Sequence, residues 1–550
     1  MAEYWHGSVC TEAPLKQLVL VSHMAALPPT SPTAKAKNPL MSERKNNNFL
    51  IAATALFFAM IVVFHLASAK EGHSHYRDQH VGTALWYAKN GIDLLHPVIV
   101  GFNATDTPTP LELPIWQALA ALMFRGFGPW FGWANGLSLA LFAAGLWPLH
   151  ALAKSCLGPR GAWWTLIFLL TQPILILMSG QASADGLSFA LSLWFVWFAH
   201  QLVLTGRLVW LAPATIFGAL AAVTKLPLFM CVGLASFFFL LVHAPRTARN
   251  WLLLMTAGIG SGVLFLLWTR HTNACLALAE FPHVDLRVTY GSEAWVWYFG
   301  DWQFRLNPFN WAKAGWSALN AVFGSFALVG LASWALLSPR NRIAQLWLLA
   351  AFCTTLVFTH LVFVHRHYFI LYSPAIALLC ASTVVQLEER INPRHVWQNA
   401  VAGAGLLFVI FISALQGLIG IEVTLDYDPY PQKIAAILRA HTTPEDKLLI
   451  QNGGWGGNLL FLSDRRGLTI DGPKILDDPV QRQRLLALGF NKLVMISESP
   501  LLSALQQTNP GNAARERVTY RESLTPLVEP LQTVFESPDI LIKELPVSAP

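Results

Sequence analysis

The sequence predicts an all-α polytopic membrane bundle that carries a small C-terminal α/β domain. Three observations predict it. Of 550 residues 54% are hydrophobic and only 12% are charged, where a soluble domain carries about 25% charge. Apolar runs of spanning length recur from residue 49 to residue 420. Beyond residue 421 the charge rises and short apolar runs alternate with helical patterns.

Residues 1–48 are polar, contain Pro, Ser and Lys, and hold no sustained period, so they read as a disordered cytoplasmic lead. Met41 opens the run Met-Ser-Glu-Arg-Lys and is a natural alternative start. The membrane domain is placed at 49–420. Its candidate spans are 49–68, 130–152, 161–179, 184–205, 208–224, 227–243, 251–269, 316–338, 343–364, 367–387 and 399–420, about eleven by the length a bilayer requires. The first is read as an anchor because no small-residue cleavage site and soluble domain follow it.

Short loops give the orientation, since cytoplasmic loops hold an excess of Lys and Arg. Arg44 and Lys45 precede the first span, and alternate connections carry Lys154 and Arg160, Arg207, Arg246 and Arg249, Arg340 and Arg342, and Arg390 and Arg394. Those lie inside. The stretches 69–129, 180–184, Lys225, 270–315 and His365-Arg366-His367 then lie outside, as does the domain at 421–550. In that domain Lys447–Ile450 and Lys492–Ile496 read as strands, and Pro431–Arg439 and Pro479–Leu488 as helices. The net charge of +6 comes from scattered residues with no basic stripe, so no nucleic-acid partner is expected. The six cysteines show no metal-finger spacing, and only Cys275 is placed outside.

Ionisable residues gather on the outside. Asp78 stands beyond the first span, ahead of an amphipathic stretch with Ala84, Leu85, Ala88 and Ile92 on one face, read as an interface helix. A carboxylate there can accept a proton from a hydroxyl while a phosphate leaving group lies at headgroup depth. Glu112 opens a second interface helix with Pro at its start and Gly128 past its end, and the plain reading is an acid favoured by the helix dipole. Asp185 stands at the entrance of a span, where an ionisable group is a functional candidate by default and an N-terminal cap is the alternative. Lys225 between two apolar runs can snorkel or hold a lipid phosphate as a point charge. Arg366 at another span entrance suits bidentate phosphate contact. His73, His75 and His80 flank Asp78 and are read as solvated; no cofactor is expected, with a divalent metal the exception they leave open.

Together these pieces resemble the C-type superfamily of membrane glycosyltransferases, and within it glycosyltransferase family 39, which includes protein O-mannosyltransferases and the lipid A aminoarabinose transferase. The resemblance rests on Asp78 with His80, Ala84 and Ala88, on Gly91-Ile-Asp-Leu-Leu-His-Pro97, on Glu112-Leu-Pro114 with Leu122-Met-Phe-Arg-Gly-Phe-Gly128, on Asp185, on Gly218 to Lys225, and on Arg366 to Pro374. These run in chain order over roughly 50–390. Two departures stand out: the family's paired Asp-Glu is Asp78-Gln79, and the glycine after its lysine is replaced by Leu226-Pro227.

The resemblance implies a glycosyltransferase that moves a sugar from a polyprenyl-phosphate donor to a hydroxyl acceptor on a glycan, lipid or protein. Asp78 is then the base, Glu112 and Asp185 shape the sugar or acceptor site beside Gln79 and His80, and Lys225 and Arg366 bind the phosphate. It implies a plasma (inner) membrane location. The rival reading is a transporter or flippase for a lipid-linked sugar, which places polar groups mid-membrane in interrupted, repeated helices.

Overall fold

The computed structural model describes residues 39–67, 75–243, 248–281, 294–338, 341–390, 396–424, 430–451, 458–470, 478–496 and 529–546. The chain divides into Met1–Asn46, of which the start of one helix is described, and Asn47–Pro550. The first helix is α1 (Pro39–Ala67). Helical backbone begins well ahead of the apolar window at residue 49, because the helix hydrogen-bond ladder extends through polar residues the window excludes.

Two helices follow in the first long connection, α2 (His75–Asn90) and α3 (Ile115–Phe127). They pack on each other: Val81 and Ala84 of α2 and Trp116, Ala120 and Phe124 of α3 share one buried cluster. Gly82 of α2 faces Phe461 so closely that a Cβ would lie 3.0 Å from that ring.

α4 (Phe131–Leu170) is two helices, 131–157 and 159–170, broken where Gly158 adopts φ +73° and ψ 178° ahead of Pro159. That left-handed backbone suits glycine, and proline opens the next helix at no cost in hydrogen bonds. A short helix α5 (Pro173–Ser179) leads to α6 (Asp185–Thr205), α7 (Leu211–Thr224), α8 (Leu226–His243) and α9 (Ala248–Leu276).

Helices at Ser373–Arg390 and Val396–Thr424 close the bundle. The segment Arg366–Arg390 has 89% of its most apolar window buried and α6 has 72%, so these form the centre. α1, α9 and Trp397–Ile419 bury 22–28% and present their apolar sides outward, as lipid-facing helices do.

Among the described residues six helices are long and apolar enough to cross a membrane, or seven if one bent pair counts as a span. The chain is thus a multi-pass membrane protein. The eleven apolar windows do not all emerge as continuous helices. The window 161–179 is interrupted at Thr171–Gln172 before Pro173. The window 316–338 bends by 92° at Gly324–Ser325, where Gly324 sits at φ +66° and Ser325 caps the next helix. The window 343–364 breaks at Phe358 into Arg342–Val357 and Thr359–Val364. Hydropathy reads composition and cannot register a broken hydrogen-bond ladder.

Toward the C-terminus lies a five-stranded mixed sheet in the order β2-β1-β3-β5-β4. Its strands are β1 (Lys447–Gln451), β2 (Arg466–Ile470), β3 (Phe490–Ile496), β4 (Thr533–Glu536) and β5 (Ile540–Glu544). β1 runs parallel to β2 and β3, while β5 is antiparallel to β3 and β4. The helices Tyr430–His441 and Asn458–Ser463 cover the face bearing Leu448, Ile450 and Val494, and Pro479–Ala487 lies on the face of Leu449 and Leu493. Burial on both faces explains why the strands read as continuous apolar runs. The sheet meets the connection between α2 and α3 through a bridge from Gly101 to Leu468, with Thr469 N–H donating to the Gly101 carbonyl at 3.3 Å.

Candidate functional site

Segments far apart in sequence meet at one end of the bundle. Leu113 N–H donates to the Val223 carbonyl at 3.1 Å, tying the stretch before α3 to the last turn of α7. Lys225 ends α7 in an extended conformation, φ −152° and ψ 93°, ahead of Pro227. The residue two places before a proline is where helices tend to stop. Glu112 and Lys225 thereby face each other, with Glu112 Oε2 3.6 Å from Lys225 Nζ. On its other side Lys225 Nζ stands 3.5 Å from Asp185 Oδ1, and the Ser183 hydroxyl donates to Asp185 Oδ2 at 3.0 Å. His80 Nε2 is hydrogen-bonded to Glu112 Oε1, which also accepts a long bond of 3.5 Å from Gln117.

This arrangement decides between the readings left open for two acids. Glu112 lies before α3, whose first turn holds no acid, so the carboxylate answers Lys225 and His80 rather than the helix dipole. Asp185 is the first residue of α6 and makes no cap; Ala184 occupies that position and the Asp185 carboxylate turns to Lys225.

Burial pushes the Glu112 carboxyl up, and Lys225 and His80 more than offset it, leaving the group below its ordinary value of 4.5. Nearby, His365 lies between Thr359–Val364 and the turn that follows. Its burial, with Lys225 adding, pushes the imidazole down to about 4, so it is neutral at pH 7.

These groups border a cavity of about 560 Å³. Gln79, His80, Glu112 and Lys225 bring polar groups to its lining, and Met230, Phe265, Trp268, Phe299, Phe358 and Leu361 bring apolar ones. Charged groups and a large apolar surface in one cavity suit an amphiphile.

Of the expected site residues, the structure brings Gln79, His80, Glu112, Asp185 and Lys225 together. Asp185 is buried beside Lys225 and is not itself a wall residue. Arg366 opens the turn Arg366–Tyr372 with an exposed side chain and does not line the cavity. Asp78 falls in the first turn of α2, and its side chain lies outside the described residues, as do those of His73 and His75. Sequence reading missed Ser183, Gln117, Tyr298, His365 and Tyr368. His365 and Tyr368 flank Arg366 and were within reach of the same signal. Tyr298 belongs to an aromatic run, Trp295–Phe299, with no motif to mark it.

No protein-family model matches the chain, and no curated protein matches it in sequence. Solved structures do match. The crystal structure of ArnT from Cupriavidus metallidurans bound to undecaprenyl phosphate is similar with a TM-score of 0.60 at 14% identity, over 90% of this chain and 98% of that one. The apo state of the same protein gives 0.52 at 15% identity, over 89% and 97%. The chain therefore has the fold of ArnT, the C-type fold to which the sequence motifs pointed.

Proposed function

We propose that the chain transfers a sugar from a polyprenyl-phosphate donor to a hydroxyl acceptor at the extracytoplasmic face of the plasma (inner) membrane. The observation that carries this reading is the cavity lined both by apolar side chains and by Glu112, Lys225 and His80. A prenyl chain matches the apolar walls, and a phosphate with its sugar matches the polar groups. The fold is that of a protein crystallised with undecaprenyl phosphate, which supports the same donor class.

In this reading Asp78 takes the proton of the acceptor hydroxyl, whose oxygen attacks the anomeric carbon. The bond from that carbon to the phosphate oxygen breaks, and the lipid phosphate leaves toward Lys225, whose charge offsets the one developing there. Lys225 reaches this role already flanked by Glu112 and Asp185, so the carboxylates set its position and receive sugar or acceptor hydroxyls beside it. Gln79 stands where the family's second acid would be, and offers an amide to the same hydroxyls.

The test is transfer from radiolabelled polyprenyl-phosphate sugars by purified native protein and Asp78→Asn at matched expression. Transfer that the substitution abolishes supports the reading. Equal activity in both removes Asp78 from the chemistry. No transfer across a broad donor panel, with movement of the lipid between leaflets of a vesicle, replaces it with the flippase.

A further inference from the structure

α2 carries Gln79, His80 and Thr83 to the cavity wall, so the geometry of the site depends on what holds this helix. His80 meets Glu112, and Val81 and Ala84 pack in one cluster with α3. Both contacts lie within the membrane domain. A third comes from outside it. Gly82 stands two residues beyond His80, about 200° around a helix of 3.6 residues per turn and so on nearly the opposite side. There it faces Phe461, on the helix Asn458–Ser463 of the C-terminal domain. A Cβ at Gly82 would lie 3.0, 3.4 and 3.8 Å from Cδ1, Cε1 and Cγ of that side chain. Glycine weakens the interior of a helix, and its place in α2 is explained by a ring that fills the space of a side chain.

Phe461 has a rigid mount. Arg465, just past its helix, is 9% exposed and donates to the Thr442 hydroxyl at 2.9 Å. It also donates to the carbonyls of Thr442, Ser463, Asp464 and Arg439 at 2.7, 3.1, 3.2 and 3.3 Å. Asp464 in the same turn, at φ +54°, accepts from Lys89 Nζ at 2.8 Å. Lys89 lies in the last turn of α2, about two turns beyond Gly82. An exposed ion pair contributes little energy, but it joins the same two elements at a second point.

We propose that Phe461 is a positioning residue for the site in the bundle: seated on Gly82, it backs α2 against Glu112 and sets where Gln79 and His80 stand on the cavity wall. Phe461 does not itself line the cavity. The C-terminal domain thus shapes the site through one ring and one glycine. The kinetic test of this inference rests on the proposed sugar transfer, and a second measurement is independent of it.

The first measurement is transfer by full-length Phe461→Ala. Its kcat is expected to fall about 10–100-fold, the cost of a misplaced group at a reacting centre, with the donor KM near its native value because the apolar lining that takes the prenyl chain is untouched. Gly82→Ala is expected to lower kcat in native protein and to have no effect beside Phe461→Ala, since its methyl group collides only with the ring. The second measurement is amide hydrogen exchange, expected to quicken in α2 of Phe461→Ala and to stay slow in β3. Unchanged kcat in Phe461→Ala, or equal effects of Gly82→Ala in both backgrounds, overturns the proposal. So does unchanged exchange in α2, or exchange that quickens equally in β3, which makes loss of the domain's fold the cause. Native protein that transfers no sugar sinks the proposed reaction, and exchange in α2 then decides this inference alone.

Discussion

Two clusters in this molecule have the same composition, one lysine between two carboxylates, and differ in what they border. In the sheet, Lys492 of β3 stands opposite Glu544 of β5 in register and donates to both its oxygens at 2.7 Å. Asp446, 3.6 Å from Lys492, is itself held by Asn491 and by the Thr443 N–H, both at 2.6 Å. In the bundle, Lys225 stands 3.5 and 3.6 Å from its two acids, at the wall of a cavity. The first cluster is finished and fixes strand register. The second stands at a cavity, where something that enters can meet its charges. Equal ingredients thus make a staple in one place and a receptor in the other.

The largest expected effect separates the two. Lys225→Met leaves two buried carboxylates facing each other and should cost about 3–5 kcal/mol, read as lowered thermal stability in detergent, together with loss of transfer. Lys492→Met should cost about 1–3 kcal/mol, because Asp446 keeps its other donors and Glu544 is 37% exposed. Equal losses would erase the distinction.

Glu112→Gln sharpens it from the other side. It keeps shape and removes charge, so turnover should fall about 10–100-fold, the worth of a hydrogen bond to a charged group, with folding and membrane insertion unchanged. Unchanged turnover would return Glu112 to a structural role.

Both clusters should lose stability at low pH, since the burial of Asp446 is outweighed by its hydrogen bonds and Lys492, which hold it below its ordinary 3.8, but the bundle cluster adds an upper part. His365 is held neutral down to about 4 from an ordinary 6.5, so the unfolded chain binds its proton first and stability falls as pH drops through that window. Glu112, held below 4.5, contributes stability that is fully present above that value and is lost as pH falls further. His365→Asn should flatten the upper part of a melting-temperature profile, and Glu112→Gln the lower part. The smallest effect is expected at the exposed pair Lys89–Asp464, 2.8 Å apart: Lys89→Ala should change stability by less than about 1 kcal/mol, as exposed ion pairs do.

How much of this could be read from the chain alone follows from what each feature depends on. The helix Tyr430–His441 and the strands β1 and β3 were legible because apolar period and burial coincide there. The turn at Gly158–Pro159 was legible from its flanking basic residues. The two helices expected in the first outside loop are there as α2 and α3, and the burial of Ala84 and Trp116 in one shared cluster is a tertiary contact that composition cannot signal. Glu112, Asp185 and Lys225 were each singled out and assigned to one site, yet their ion pairs were not, since these join segments far apart in sequence, as does the backbone bond from Leu113 to Val223.

The bridge between Gly101 and Leu468 sets an order of manufacture. A ribosome makes the cavity's polar residues and every spanning helix before it makes β2, so the wall at Gly101 waits for its strand until almost all the membrane domain has been inserted. A nascent chain stalled after Thr424 would hold Glu112 and Lys225 with that flank unbraced. Completion of the site is therefore a late event in synthesis, and a chain cut short is expected to be a membrane protein with an unfinished cavity rather than a smaller working one.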